Sequence, residues 1–236
     1  MVAGPDPGHA FPAIALCLRF LAAGDTPVLL TGREWLDTAR AAGLEAVELA
    51  GLDPGEDDDD SDAGAKIHQR AARMAVLNVP VLTDLGCDLV VSDVITACGG
   101  MAAELIGIPW VELSPHPLYL PSKGLPPVGS GLAPGTGVGG RLRDTVMRAF
   151  TARSVREGMR QRSAVRAEIG LPARDPGPVR RLIATLPALE VPRPDWPAEA
   201  VVVGPLHFEP TSAVLAIPAG EGPVIVVAPS TATTGT

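Results

Sequence analysis

Three short apolar runs, separated by two segments of helical periodicity, open the chain and restrict its fold more than any other feature. Residues 2–4 (VAG) read as the end of a strand. A PDPGH turn follows, and then Phe11, Ile14, Leu18 and Leu21 recur at helical spacing until Gly24 stops the helix. Residues 26–32 (TPVLLTG) read as a buried strand, 33–43 as a helix closed by Gly43, and 44–50 (LEAVELA) as a third strand. Such a β-α-β-α-β series has right-handed crossovers, which force a parallel sheet with helices on both faces. The fold class is therefore α/β, a Rossmann-like parallel sheet.

The alternation continues. Residues 52–62 form an acidic loop, and a long helix runs from about 63 to 85, with a kink expected at Pro80. DLVVSD (88–93) is a fourth strand, 95–107 a helix ending at Gly107, and 109–114 a fifth strand. A Pro- and Gly-rich loop fills 114–140. Residues 141–169 then form a second long helix that carries eight Arg against Asp144, Glu157 and Glu168. Its charges read as a solvated face, with Met147 and Phe150 as packing residues; contact with an anionic membrane is the second reading. RLIATL (181–186) and AVVVGP (200–205) are further strands. Residues 1–205 are thus expected to form one domain, 206–222 a linker, and 223–236 the first strand and loop of a second domain. A final strand without its crossover helix, and a first strand of about three residues, suggest a fragment truncated at the C-terminus and clipped at the N-terminus.

Composition excludes several classes. The net charge of −8 disfavours nucleic acid as a partner, because phosphate contacts need a basic surface. Seven of the carboxylates sit within 53–62, so the remainder is close to neutral. No apolar run reaches the ~18 residues of a membrane span. Cys17, Cys87 and Cys98 show no C-x-x-C spacing, which fits reduced thiols in a cytoplasmic protein.

Ligands of a doubly wound sheet bind outside the carboxyl ends of its strands. His9, after the first strand, and Asp93, closing the fourth, are the ionisable residues there. If those strands are neighbours, Asp93 can fix the tautomer of His9 and raise the basicity of its other nitrogen, as a general base acting on a hydroxyl requires. The plainer alternative is a helix-capping His9 and a strand-ending Asp93.

Four segments carry a specific resemblance. GPDPGHAFPAIAL (4–16) resembles the opening of GT-B fold glycosyltransferases, where a Gly-His-x-x-Pro turn follows the first strand. DLVVSDVITACGGMAAELIGIPWVELS (88–114) is similar to their Asp-x-Val-Val-x-Asp strand, small-residue helix and Gly-Ile-Pro turn. SPHPLYLPSKGLPPVGSGL (114–132) resembles a loop of actinobacterial members, and VVVGPLHFEP with PVIVVAPSTA resembles the passage into their second domain. The match is to the UDP-glucosyl and glucuronosyl transferase family, antibiotic-tailoring members included, over the first half of its length.

That resemblance implies an inverting hexosyltransferase. His9 would deprotonate the acceptor hydroxyl and Asp93 would orient it. Phe11, Trp35 and His116 would contact the acceptor, while Gly8, Ser230 and Thr231 would face the donor diphosphate. The donor would be a UDP- or dTDP-sugar used as substrate, with neither metal nor resident cofactor, since helix N-termini and backbone N–H groups can hold the leaving group. Most of the donor motif lies beyond residue 236, so the chain by itself is expected to be inactive or weakly active. The acceptor would be a small molecule or a lipid, with peripheral membrane contact in the second case. Two alternatives stand beside this: a non-catalytic acceptor-binding half that serves a partner, and a membrane-associated transferase acting on a lipid-linked sugar.

Several features read as decoys or plain structural residues. The Asp-x-Asp pairs of the acidic segment lie in a solvated loop rather than at a strand end. Gly135, Gly137 and Gly140 match G-x-G-x-x-G but follow no strand, and read as a flexible loop over the acceptor cleft. Cys87 and Cys98 read as small core residues, and His68 and His207 as surface residues.

Overall fold

The structure is a computed structural model in which residues 1–53, 62–214, 216–217, 219–220 and 222–227 are described; Ser230, Thr231 and most of the acidic loop lie outside them. Six strands are parallel: β1 (Val28–Thr31) with β2 (Glu45–Glu48), and β3 (Val90–Asp93), β4 (Trp110–Ser114), β5 (Arg180–Ile183) and β6 (Ala200–Val202) in that spatial order. The two groups are joined by the first residues of the chain. Val2 bridges Leu30 on one side and Ser92 on the other, both in parallel. Val2 N–H donates to Val91 O, Ala3 N–H to Leu30 O, and Asp93 N–H to Val2 O. The expected first strand is therefore present as a short central stub.

Alternating side chains explain the three layers. Leu29 and Val91 point toward α1 (Pro7–Ala23) and α2 (Arg33–Ala41), where Ile14, Cys17, Leu36 and Ala39 are buried. Their neighbours Leu30 and Val90 point the opposite way, toward α3 (Ala63–Asp84) and α4 (Cys98–Ile106), against Met74, Leu82 and Met101. Both faces of the sheet are thus apolar, as crossover connections require. Helix α4 lies very close to the sheet because its first turn is Gly99–Gly100. A Cβ at Gly100 would stand 3.0 Å from three atoms of the Trp110 indole, and one at Gly99 would stand 2.7 Å from Ser92 Oγ.

The helix ends agree with the sequence: Gly24 (φ 95°) and Gly107 (φ 75°) are left-handed caps of α1 and α4. Differences occur where tertiary contacts decide. Helix α5 (Gly137–Glu168) starts four residues earlier than expected, so the glycine-rich segment opens a helix rather than forming a loop. Buried Asp144 holds this start by accepting from Gly135 N–H at 2.7 Å, and Arg143 donates to Ala133 O. The solvated-face expectation fails at Arg166, which is fully buried, and the packing expectation fails at Phe150, which is 80% exposed. Arg166 lies where α5 meets Glu104 of α4. Residues 223–227 form no strand, and Val224–Val227 are exposed. A lone apolar run has no ladder to join, and among the described residues nothing pairs with it.

Buried Arg166 ties α5 to α4. Its guanidinium meets Glu104 at 2.6 and 3.1 Å, and its Nε donates to Pro172 O at 2.9 Å. Cys17 and Cys98 are buried core residues, and burial pushes the Cys98 thiol up to about 12. Cys87 is half-buried, its Sγ donating to Leu82 O. No helix among the described residues is long and apolar enough to cross a membrane.

Candidate active site

The sequence places Pro7 at the first position of α1 with Asp6 before it, an N-cap pair that presets the helix start. His9 therefore sits in the first helical turn rather than in a turn preceding it, above the carboxyl ends of the strands. Asp93 ends β3 on the other side of the Val2 stub. The short stub brings the two within reach: His9 Nδ1 donates to Asp93 Oδ1 at 2.7 Å. The Asp93 side chain is fully buried, whereas the His9 side chain is 16% exposed and opens to the surface.

The second carboxylate oxygen of Asp93 is also held. It accepts from Ile95 N–H at 3.1 Å and from Thr96 Oγ1–H at 3.2 Å. Buried Thr96 in turn accepts from Gly4 N–H at 2.8 Å. One hydroxyl thus ties the carboxylate to the chain segment that leads into His9. Burial alone would lower the His9 pKa. The hydrogen bond and charge of Asp93, with a smaller contribution from Asp6, outweigh it and raise the pKa above the ordinary imidazole value.

His116, in the loop after β4, stands beside the pair. Its ring centroid lies 6.4 Å from that of His9 at an interplanar angle of 77°, and Tyr119 follows at 5.8 Å and 74°. Phe11 and Trp35 are brought together elsewhere, with ring centroids 4.7 Å apart, and Phe208 closes on Phe11. Trp35 Nε1 donates to Pro5 O at 2.6 Å, so this cluster also braces the turn before α1. Gly8 N–H donates to Asp6 Oδ1 at 2.9 Å and is engaged by the helix cap. Among the described residues, no group of three or more His, Cys, Asp or Glu is placed to hold a metal ion. A cavity of about 350 Å³ lies at the opposite, amino ends of β1 and β3, away from His9.

Of the residues singled out from sequence, the structure brings His9, Asp93 and His116 together, whereas Thr96 and Asp6 were passed over. Asp6-Pro7 was a readable capping signal. Thr96, three residues beyond the strand-ending carboxylate, had no comparable signature.

An imidazole–carboxylate pair at the carboxyl ends of a parallel sheet is the acid–base arrangement expected from the glycosyltransferase resemblance, and comparison with known proteins bears that resemblance out. The chain is related to actinobacterial antibiotic-tailoring glycosyltransferases and takes the GT-B fold over about half of their length. It is 28% identical over 229 residues to 4'-demethylrebeccamycin synthase of Lentzea aerocolonigenes, a match covering 85% of this chain and 54% of the relative. It is 32% identical over 124 residues to L-demethylnoviosyl transferase of Streptomyces niveus, covering 47% of this chain and 32% of that one. Among solved structures, the glycotransferase of kitacinnamycin superposes with a TM-score of 0.66 at 19% identity, over 93% of this chain and 54% of its own. A spinosyn rhamnosyltransferase complexed with spinosyn aglycone gives 0.52 at 18% identity, over 92% and 52%. A Streptomyces sp. SF2575 glycosyltransferase complexed with thymidine diphosphate gives 0.50 at 18% identity, over 79% and 49%. No protein-family model matches the chain.

Proposed function

We propose that this chain is the acceptor-binding half of an inverting glycosyltransferase that moves a sugar from a uridine or thymidine diphosphate donor to a hydroxyl of a small-molecule acceptor. The observation that carries this reading is the 2.7 Å bond between His9 Nδ1 and buried Asp93. With Nδ1 committed to the carboxylate, Nε2 is the nitrogen left to take a proton. The acceptor oxygen attacks the anomeric carbon as His9 Nε2 removes its hydrogen. The bond from that carbon to the diphosphate oxygen breaks, and its electron pair leaves with the nucleoside diphosphate. Attack and departure on opposite faces invert the anomeric centre. The imidazolium that forms is stabilised by the Asp93 carboxylate and later releases its proton to solvent. Ligands named for two structural neighbours, an aglycone and thymidine diphosphate, support both substrate classes.

The test is transfer by the product of the whole reading frame, with the anomeric coupling constant of the product read by NMR. Inversion is expected, together with a kcat/KM profile whose acid limb lies above about pH 6.5, because His9 must be neutral to act and its pKa is raised. A retained configuration, or a rate flat from pH 5 to about 8, overturns the mechanism.

Thr96 acts through Asp93, and its removal has a distinct signature. Thr96→Val lowers kcat by about tenfold, the worth of one hydrogen bond to a charged group. It also moves the acid limb upward, because the carboxylate loses a donor and concentrates its charge on His9. Thr96→Ser restores both. A fall in Tm without any change in the pH profile would assign Thr96 to packing alone.

A further inference from the structure

We propose that His116 is a second hydrogen-bond acceptor for the bound acceptor molecule, making the site selective for substrates that carry two O–H or N–H donors on neighbouring atoms. This rests on the glycosyltransferase reading of the same site and extends it to substrate class.

The tautomer of His116 follows from its partners. Nδ1 lies 2.8 Å from Pro117 O, and a carbonyl oxygen only accepts, so Nδ1 carries the hydrogen. Ser114 Oγ lies 3.2 Å from the same nitrogen and gives its own hydrogen to His116 O at 3.1 Å, which leaves the hydroxyl oxygen as a further acceptor. In the neutral ring, Nε2 is therefore a bare lone pair. His9 is fixed in the same sense, with Nδ1–H on Asp93 and Nε2 bare. Neither Nε2 has a hydrogen-bond partner among the described residues. Two imidazoles with ring centroids 6.4 Å apart thus present two acceptors and no donor.

A lone hydroxyl satisfies only one of them. Two hydroxyls on adjacent carbons, each making a bond of about 2.8 Å, span rings at this spacing. The first is the reacting group on His9 and the second orients the molecule through His116. Tyr119, edge-on to His116 and 61% exposed, extends the wall along which a flat ring can lie.

The 236-residue chain labelled with ¹⁵N-histidine is titrated by NMR at pH 8 with catechol, phenol and 1,2-dimethoxybenzene, under nitrogen. Catechol is expected to bind about fivefold to tenfold more tightly than phenol, the worth of one additional hydrogen bond, and to shift Nε2 of both His9 and His116; the dimethoxy compound binds most weakly. His116→Phe keeps an aromatic ring in place but removes the lone pair. It is expected to abolish the preference for catechol over phenol and the catechol-induced shift at residue 116. The unsubstituted chain gives a check that no variant can spoil: the free protein shows His116 protonated at Nδ1 when neutral. Equal binding of catechol and phenol, binding of neither, a preference surviving in His116→Phe, or an Nε2–H tautomer each overturns the proposal. These are binding readouts, so loss of the transferase reading in a turnover assay would be seen separately.

Discussion

His9→Ala is expected to cut kcat for sugar transfer by about 10²–10⁴-fold, the usual worth of a general base, while KM for the nucleotide-sugar stays unchanged. The expectation follows from geometry. The His9 side chain is the partly exposed member of the pair, and Asp93 is fully buried and acts only through the ring, by orienting it and stabilising its charged form. Asp93→Asn should also slow the reaction, because an amide can donate to Nδ1 and so favour the tautomer with hydrogen on Nε2. The double variant should then be no worse than His9→Ala alone, since the orienting residue acts only through the ring. Circular dichroism should be unchanged in all three variants, with Asp93 still bonded to Ile95 and Thr96 in His9→Ala. Wild-type turnover in His9→Ala, or additive losses in the double variant, would remove His9 from the chemistry.

Arg166→Met should destabilise the fold by about 3–5 kcal/mol, measured by urea unfolding, because it strands the Glu104 carboxylate opposite an apolar side chain. The pair is nearly closed to water: Arg166 is fully buried and the Glu104 side chain 13% exposed. Arg166 also satisfies Pro172 O and lies 3.7 Å from Asp175, so one guanidinium fastens α5, α4 and the following turn together. Adding Glu104→Leu to Arg166→Met should recover most of the loss, since a buried ion pair costs desolvation that an apolar pair does not. A loss below about 1 kcal/mol in the single variant would reduce the contact to an ordinary surface bridge.

The sequence revealed most where a residue type has few alternatives. Gly24 and Gly107 ended helices because left-handed caps favour glycine, and alternating apolar strands announced a sheet covered on both faces. The His9–Asp93 pair was readable because one residue opens a helix and the other ends a strand at the same edge of a parallel sheet, although the adjacency of those elements had to be assumed. What was not readable depends on distant partners. Arg166 looked like any other arginine on α5, and Glu104, which buries it, is 62 residues away. The start of α5 was misplaced because glycines disfavour a helix locally, while Asp144 and Arg143 hold that turn from within the helix. Residues 223–227 have strand composition, but composition supplies no neighbour to pair with. Thr96 carries no motif at all; only the meeting of Gly4 with Asp93 gives its hydroxyl a task.

The central stub at Val2 also sets the order of assembly. It precedes both of its pairing partners, Leu30 and Ser92, in the chain. It can zip to β1 early, but its other edge stays open until β3 has been made. With Val2 already on β1, closing that edge means ordering the chain between Leu30 and Ser92, about sixty residues, an entropic cost typical of slow, topologically complex folding. His9 and Asp93 meet only in that step, so their hydrogen bond forms with the same long-range closure that completes the sheet.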